Sequence, residues 1–318
     1  MEPKETEDRI QKILQFCKAL TSKGLKLTLL PTTSSTTTSN FIQTKATSID
    51  IEIISDGIEG KSRPMPWMPQ LKINDLPSFL DGTDSYPSLL KLVVSQFSNI
   101  EESKWLFCNT FDMLEDEVVK WMASKFPVKN VGPTIPSMYL DKKLENDKDY
   151  GLSLFKPSTD TGMTWLDSKE TGSVVYVSFG SLGALEIEQM EEVAWGLKRS
   201  NCNFLWVVKE SEFEKLPKKF CEETIEKGLV VGWSPQPEVL GHKSVWCFMT
   251  HCGWNSTLEA LSLGVPMVAM PIWTDQTTNA KFVEDVWQVG VRVGVNEQGI
   301  VTRKEIEVCI KEVMEGEK

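Results

Sequence analysis

Between Trp233 and Gln276 the chain reads WSPQPEVLGHKSVWCFMTHCGWNSTLEALSLGVPMVAMPIWTDQ, and here residue types and spacing could do the most chemistry. VWCFM reads as a buried strand, Thr250-His251-Cys252-Gly253-Trp254-Asn255 as a turn, and a helix follows from Ser256. Such a strand–turn–helix leaves backbone N–H groups at the helix start, where the dipole favours an anion. Gly253 permits close backbone approach. From 229 to 280 there is one lysine, Lys243, and no arginine, so N–H groups, hydroxyls and His251 would have to hold a phosphate. Two plainer readings compete. Ser256-x-x-Glu259 fits a capping box, which needs no ligand, and on spacing alone such a pair is more often only a cap. His242, Cys247, His251 and Cys252 suggest zinc, but their spacing matches no standard finger and Cys247 sits inside the strand. Ser181, closing SFGS after another apolar run, reads by itself as a turn residue.

The elements that must position these residues follow from periodicity. Ile10, Ile13, Leu14, Cys17 and Leu20 mark a helix stopped by Gly24; LKLTLL (25–30) and SIDIEII (48–54) read as strands around a polar TTSSTTTS loop. Residues 58–88 carry five prolines and read as irregular chain. Residues 88–100 and 114–126 read as helices with a strand at 105–111 between them. Residues 131–151, rich in Pro, Lys and Asp, read as a linker. A second α/β series then begins, with strands at 173–181, 204–208, 228–233, 245–249 and 265–270 and an amphipathic helix through Met190, Val193, Ala194 and Leu197.

The whole span from Trp233 to Gln276, with Pro235-Gln236, HCGWNSTLE, GVP and Asp275-Gln276 in place, resembles the plant secondary-product glycosyltransferase signature. LQFCKALTSKGLKLTLL, SQFSNIEESKWLFCNTFDMLEDEVV and VGVRVGVNEQGIVTRKEIEVCIKEVMEGE resemble plant UDP-glycosyltransferase family 74. The resemblance implies an α/β GT-B fold of two Rossmann-like domains, the N-terminal one incomplete here. The boundaries it suggests are 1–132 for a reduced acceptor-side domain, 133–160 for the linker and 161–318 for the UDP-sugar-binding domain. It further implies that Trp233 stacks on uracil with Gln236 beside it, and that Glu259 takes the ribose hydroxyls. His251, Asn255, Ser256 and Ser181 meet the diphosphate, Gly253 counts among the donor-binding residues, and Trp254, Asp275 and Gln276 face the sugar. Gln276 favours glucose. The implied reaction is inverting transfer of glucose from UDP-glucose to a hydroxyl or carboxylate of a small lipophilic acceptor, without metal or cofactor.

The family's catalytic base is a histidine before the first helix. Aligning LQF with LQF puts Arg9 at that position, and a guanidinium cannot act as a base. The chain's two histidines, His242 and His251, both lie in the donor signature, so none precedes residue 242. The histidine's aspartate partner reads as deleted after SDGIEG; Asp56 and Asp75 stand in its half of the chain, each read as a solvated loop residue. The C-terminal end also reads as short. The alternative function is therefore a chain that binds UDP-sugar without transferring it.

Composition bounds the rest. A net charge of −11 argues against nucleic-acid or acidic-membrane partners, which need surplus cations. Scattered cysteines without a CxxC pair, no apolar run of about 18 residues and a charged start together suggest a cytoplasmic protein, expected to be a monomer. No GxGxxG follows a strand, which removes a generic dinucleotide-binding reading.

Overall fold

The computed structural model describes residues 71–79, 87–95, 97, 100–144, 147, 159–181 and 183–316. The helix read over 10–20, the strands at 25–30 and 48–54, Arg9 and Asp56 lie outside the described residues. The described residues fall into two compact units. One runs from Phe79 to Ser137. The other takes in Leu71–Ser78 and the chain from Met138 onward.

The first unit holds α1 (Pro87–Ser95), β1 (Leu106–Cys108), α2 (Asp112–Ala123) and β2 (Val128–Asn130). The two strands pair in parallel, Leu106 opposite Val128. α1 and β1 are shorter than the runs read at 88–100 and 105–111, α2 is shifted two to three residues toward the N-terminus, and β2 has no counterpart in the sequence reading. α1 ends at Ser95, and β1 stops where the Thr110 N–H turns back onto the Cys108 carbonyl at 2.9 Å. At the end of α2 the Ser124 hydroxyl donates to the Trp121 carbonyl, the side-chain-to-backbone bonding by which serine competes with helix.

The second unit is built on a parallel sheet. In chain order it runs α3 (Thr159–Asp167), β3 (Val174–Ser178), α4 (Ile187–Ser200), β4 (Asn203–Val207), α5 (Phe220–Glu223), β5 (Gly228–Val231), α6 (Gln236–Leu240), β6 (Val245–Thr250), α7 (Trp254–Leu263), β7 (Met267–Ala269), α8 (Gln276–Lys281), β8 (Gly290–Arg292) and α9 (Arg303–Glu315). The six strands lie in the order β5-β4-β3-β6-β7-β8. β3 is central, with Val174 opposite both Asn203 of β4 and Val245 of β6.

All of β3 is buried, because helices cover both faces and a strand covered twice cannot alternate with polar residues. Its odd and even side chains feed different cores. Val175 and Val177 join Trp206, Met249, Leu197 and Ile306 on the face of α4 and α9. Val174 and Tyr176 join Leu166, Leu240, Phe248 and Ala260 on the other face. α4 and α9 approach closely at Gly196, where a Cβ would stand 2.7 Å from the Ile306 Cβ. Glycine there costs about 1 kcal/mol of helix propensity, offset by the contact it allows.

Leu71–Ser78 is a short strap with one 3-10 turn, Ile73–Asp75, laid against α8 and β8. From sequence these residues count with the N-terminal half; in the structure they belong to the second unit. Asp75, read from sequence as solvated, is 5% exposed, and its carboxylate takes the Arg292 guanidinium at 2.6 Å and the Lys72 N–H at 2.9 Å. A carboxylate pulled from water survives charged only with such partners. Burial acts to raise its pKa, but the Lys72 N–H and the Arg292 hydrogen bond and charge prevail and hold it below the ordinary range.

Candidate functional site

The sheet order decides where a ligand can sit. From β3 the chain steps outward through β4 and β5, then crosses to β6 and steps the other way through β7 and β8. At the carboxyl ends of β3 and β6 the following loops diverge and leave a crevice. Two loops border it, Phe179-Gly180-Ser181 after β3 and His251-Cys252-Gly253 after β6. Trp233 and Ser234 follow β5, and Asp275 and Gln276 follow β7. Every donor residue that the resemblance implies thus belongs to a carboxyl-end loop or to the helix that follows one, whereas Cys247 lies inside β6 and His242 before it.

The His251 imidazole is lodged between two glycines. A Cβ on Gly180 would lie 2.7 Å from its Nε2 and Cε1, and one on Gly253 would lie 2.5 Å from Nε2. Gly180 also has φ +72°, a left-handed backbone that side chains resist. Cys252 adopts φ +59° without being glycine, at a cost on the order of 1 kcal/mol. It is held there by its N–H to Thr250 Oγ1 at 3.3 Å and by Asn279 Nδ2, which donates to its carbonyl at 2.9 Å.

α7 begins at Trp254, two residues before the position read from sequence, and its cap is Gly253, which has no side chain to close it. The capping-box reading of Ser256 and Glu259 is therefore overturned: Ser256 is already inside the first turn, and its hydroxyl accepts from Gln236 Nε2 at 2.9 Å. A side-chain cap lies elsewhere, at Thr302, whose hydroxyl accepts the Glu305 N–H at 3.3 Å. The Asn255 and Ser256 N–H groups of α7 have no intrahelical acceptor, so the positive end of its dipole faces the crevice.

Gln236, the first residue of α6, gathers a polar cluster. Its Nε2 donates to Glu259 Oε2 at 2.7 Å as well as to Ser256, and its Oε1 accepts the Tyr176 hydroxyl at 3.4 Å. Tyr176 Oη also lies 2.9 Å from Ser234 Oγ. Glu259 is 2% exposed. Burial raises the Tyr176 phenol well above its ordinary pKa, so it stays a neutral hydroxyl. Tyr176 and Ser234 were not read as site residues; a tyrosine in an otherwise aliphatic buried strand is the signal, because its hydroxyl must find a partner. Beside this cluster, Trp233 keeps 40% of its surface exposed and is no core tryptophan.

At the far side, Asp275 caps α8, and its carboxylate accepts Thr274 Oγ1 at 2.9 Å and Asn279 Nδ2 at 2.8 Å. Gln276 is 5% exposed, and its Oε1 accepts the Ile272 and Trp273 N–H groups at 2.9 and 3.0 Å. These two bonds fix the orientation of its amide. Trp254 packs beside Trp287, ring centres 6.1 Å apart. Ser181 is exposed, and its carbonyl accepts Lys209 Nζ at 3.2 Å, bringing a cation to the β3 loop.

The residues that suggested zinc are not gathered. His242 lies 2.8 Å from Ser244 Oγ and 3.3 Å from Asp167, and among the described residues no group of three or more His, Cys, Asp or Glu could hold a metal ion. Among them, too, no helix is long and apolar enough to cross a membrane.

Comparison with known proteins identifies the family and the fold. A family model described as UDP-glucoronosyl and UDP-glucosyl transferase matches residues 113–318, well over half of the chain. UDP-glycosyltransferase 74E2 of Arabidopsis thaliana is 60% identical over 253 residues, 80% of this chain and 56% of that protein. Mogroside I-E synthase of Siraitia grosvenorii is 58% identical over 255 residues, again 80% and 56%. Among solved structures, Os79 from O. sativa in complex with UDP superposes with a TM-score of 0.75 at 41% identity, covering 78% of this chain and 55% of that one. Phytolacca americana UGT2, complexed with UDP-2fluoro-glucose and pterostilbene, gives 0.64 at 34%, covering 76% and 52%. The chain spans about half the length of the curated relatives it matches.

Proposed function

The chain belongs to the UDP-glucoronosyl and UDP-glucosyl transferase family, and from that premise we propose that its second unit binds a UDP-sugar across the β3/β6 crevice for transfer to a small acceptor. The observation that carries this reading is the uncapped start of α7 beside His251, itself lodged between Gly180 and Gly253. Uracil stacks on Trp233, the ribose hydroxyls reach the Gln236–Glu259 cluster, and the diphosphate lies over the N–H groups of Asn255 and Ser256 with His251 and Ser181 alongside. Asp275 and the Gln276 amide nitrogen take the sugar, which we read as glucose.

In the reaction the acceptor oxygen attacks the anomeric carbon from the face opposite UDP. The bond to the diphosphate oxygen breaks, and negative charge grows on the leaving UDP. Donors already aimed at that charge do not reorganise as it forms, and each well-placed one contributes about 3 kcal/mol. The chemistry asks for no metal or cofactor. The acceptor is a small lipophilic molecule bearing a hydroxyl or a carboxylate, and the chain works as a cytoplasmic monomer without a nucleic-acid partner.

A second reading is favoured by one observation: the only histidines are 242 and 251, and the structure commits the first to Ser244 and Asp167. With His242 so held and His251 placed at the diphosphate, neither imidazole of this sequence is set against a hydroxyl acceptor, and on this reading the chain binds donor without transferring it to alcohols. A carboxylate acceptor is already ionised near neutral pH and needs no base. Calorimetric titration with UDP-glucose, beside His251→Ala, tests the binding. Saturable binding that the variant loses supports it; no binding by a chain that circular dichroism shows folded overturns it. Assays on paired alcohol and carboxylate acceptors then separate transfer from binding alone.

A further inference from the structure

The strap Leu71–Ser78 is bonded to the stretch of the second unit that carries Asp275 and Gln276, and to Arg292. The Ser78 N–H donates to the Thr274 carbonyl at 3.0 Å, and the Thr274 N–H returns to Ser78 Oγ at 2.8 Å. Thr277 Oγ1 donates to the Leu76 carbonyl and Thr278 Oγ1 to the Asp75 carbonyl, both at 2.7 Å. Arg292, at the end of β8, locks the other end of the strap through the Asp75 carboxylate at 2.6 Å and the Asn74 carbonyl at 3.3 Å.

These bonds act where the backbone is under strain. Thr274 has φ +57°, a left-handed conformation unfavourable for a β-branched residue. Nothing in the local run Trp273-Thr274-Asp275 selects it, because no glycine or asparagine is present. The reciprocal pair with Ser78 uses both backbone groups of Thr274 and holds it there. The next residue, Asp275, then caps α8, and Gln276 folds its Oε1 back onto the Ile272 and Trp273 N–H groups.

We infer that the strap is the positioning device for the sugar end of the donor site, with Ser78 and the Asp75–Arg292 pair setting Asp275 and Gln276 by fixing Thr274. The inference rests on the donor reading above. These are positioning residues: none of them lies at the α7 helix start or in the Gln236 cluster. Their loss separates the two ends of the donor, weakening the hold on the sugar and leaving the hold on the nucleotide.

The test is calorimetry on the full chain with two probes, UDP and UDP-glucose, for the wild type, Ser78→Ala, Thr277→Val and Ser78→Thr. Ser78→Ala and Thr277→Val are expected to weaken UDP-glucose about fivefold each, the loss of one hydrogen bond's positioning, and to leave UDP within about twofold. Ser78→Thr keeps the hydroxyl and is expected to restore UDP-glucose affinity. A merely structural strap would weaken both probes together, and that result, or no change with either, overturns the inference. Failure of the wild type to bind either probe would overturn the donor reading itself. Arg292→Ala, which strands a buried carboxylate, serves only as a check by circular dichroism of how much of the unit the strap supports.

Discussion

Gln236 and Glu259, 23 positions apart, meet across α6 and α7 with the amide nitrogen 2.7 Å from the carboxylate. The bond helps fix the orientation of the buried Glu259 carboxylate. Gln236→Ala removes a charge-assisted donor from a nearly inaccessible carboxylate, and a loss of about 1.5–3 kcal/mol of stability is expected. Gln236→Glu brings a second carboxylate to the same place and is expected to cost more. Urea unfolding midpoints of the three chains, read with unchanged slope, check the order.

Gly180 and Gly253 are expected to act through His251. Gly253→Ala sets a methyl within 2.5 Å of the imidazole Nε2 and must displace it. Tenfold or greater loss of UDP affinity is expected (about 1.4 kcal/mol or more). In a His251→Ala background the same substitution is expected to cost little, since the group it displaces is gone. Additive losses in that double-mutant cycle would show that the glycine serves something other than the histidine.

Trp233→Ala is expected to weaken UDP by about 1–3 kcal/mol, the usual range for losing an aromatic partner to a base. Because 40% of the indole is already exposed, the melting temperature should barely move. Uridine titration followed by tryptophan fluorescence, with the variant as blank, reads both the affinity and the stacked residue.

Acid sensitivity is expected from Asp75 and Glu192. Hydrogen bonding from Arg303 holds Glu192 below its ordinary range against burial, and Asp75 is held down by Lys72 and Arg292. A carboxylate with a lowered folded-state pKa contributes stability that is fully present above its unfolded value, near 4, and is lost as pH falls through the folded value. The stability gap between wild type and Asp75→Asn is therefore expected to be constant from pH 7 to about 5 and to close below about 4. A gap that instead closes on raising the pH would mean that the pair does not stabilise the folded state.

The legible parts of this molecule are those with a local signature. The strands read at 204–208, 245–249 and 265–270 are apolar runs between turns, and each appears within a few residues of its expected place. The stretch from Trp233 to Gln276 stands out for a different reason, a long unbroken resemblance to a family signature. What escaped has no local mark. The start of α7 lies two residues early because a glycine cap carries no side-chain signal. The partners of Gln236 are set by the sheet, which brings Tyr176 of β3 beside residues 58 and 60 positions away. Asp75 sits in a proline-rich stretch that reads as loop, and only the fold supplies the arginine that buries it.

The Asp75–Arg292 pair also sets an order of events during synthesis. Its members are separated by 217 positions, and closing so long a loop is entropically unfavourable until the sheet already exists. At ribosomal speeds of about 5–20 residues per second, Arg292 emerges on the order of ten to forty seconds after Asp75. Through that interval the strap is a nascent segment whose carboxylate has no guanidinium to meet, while the strands from β3 to β7 leave the ribosome ahead of it. The last strand to join the sheet edge is thus the one that lets an early segment dock, and the Thr274–Gln276 corner that this segment braces is expected to be the last part of the unit to take shape.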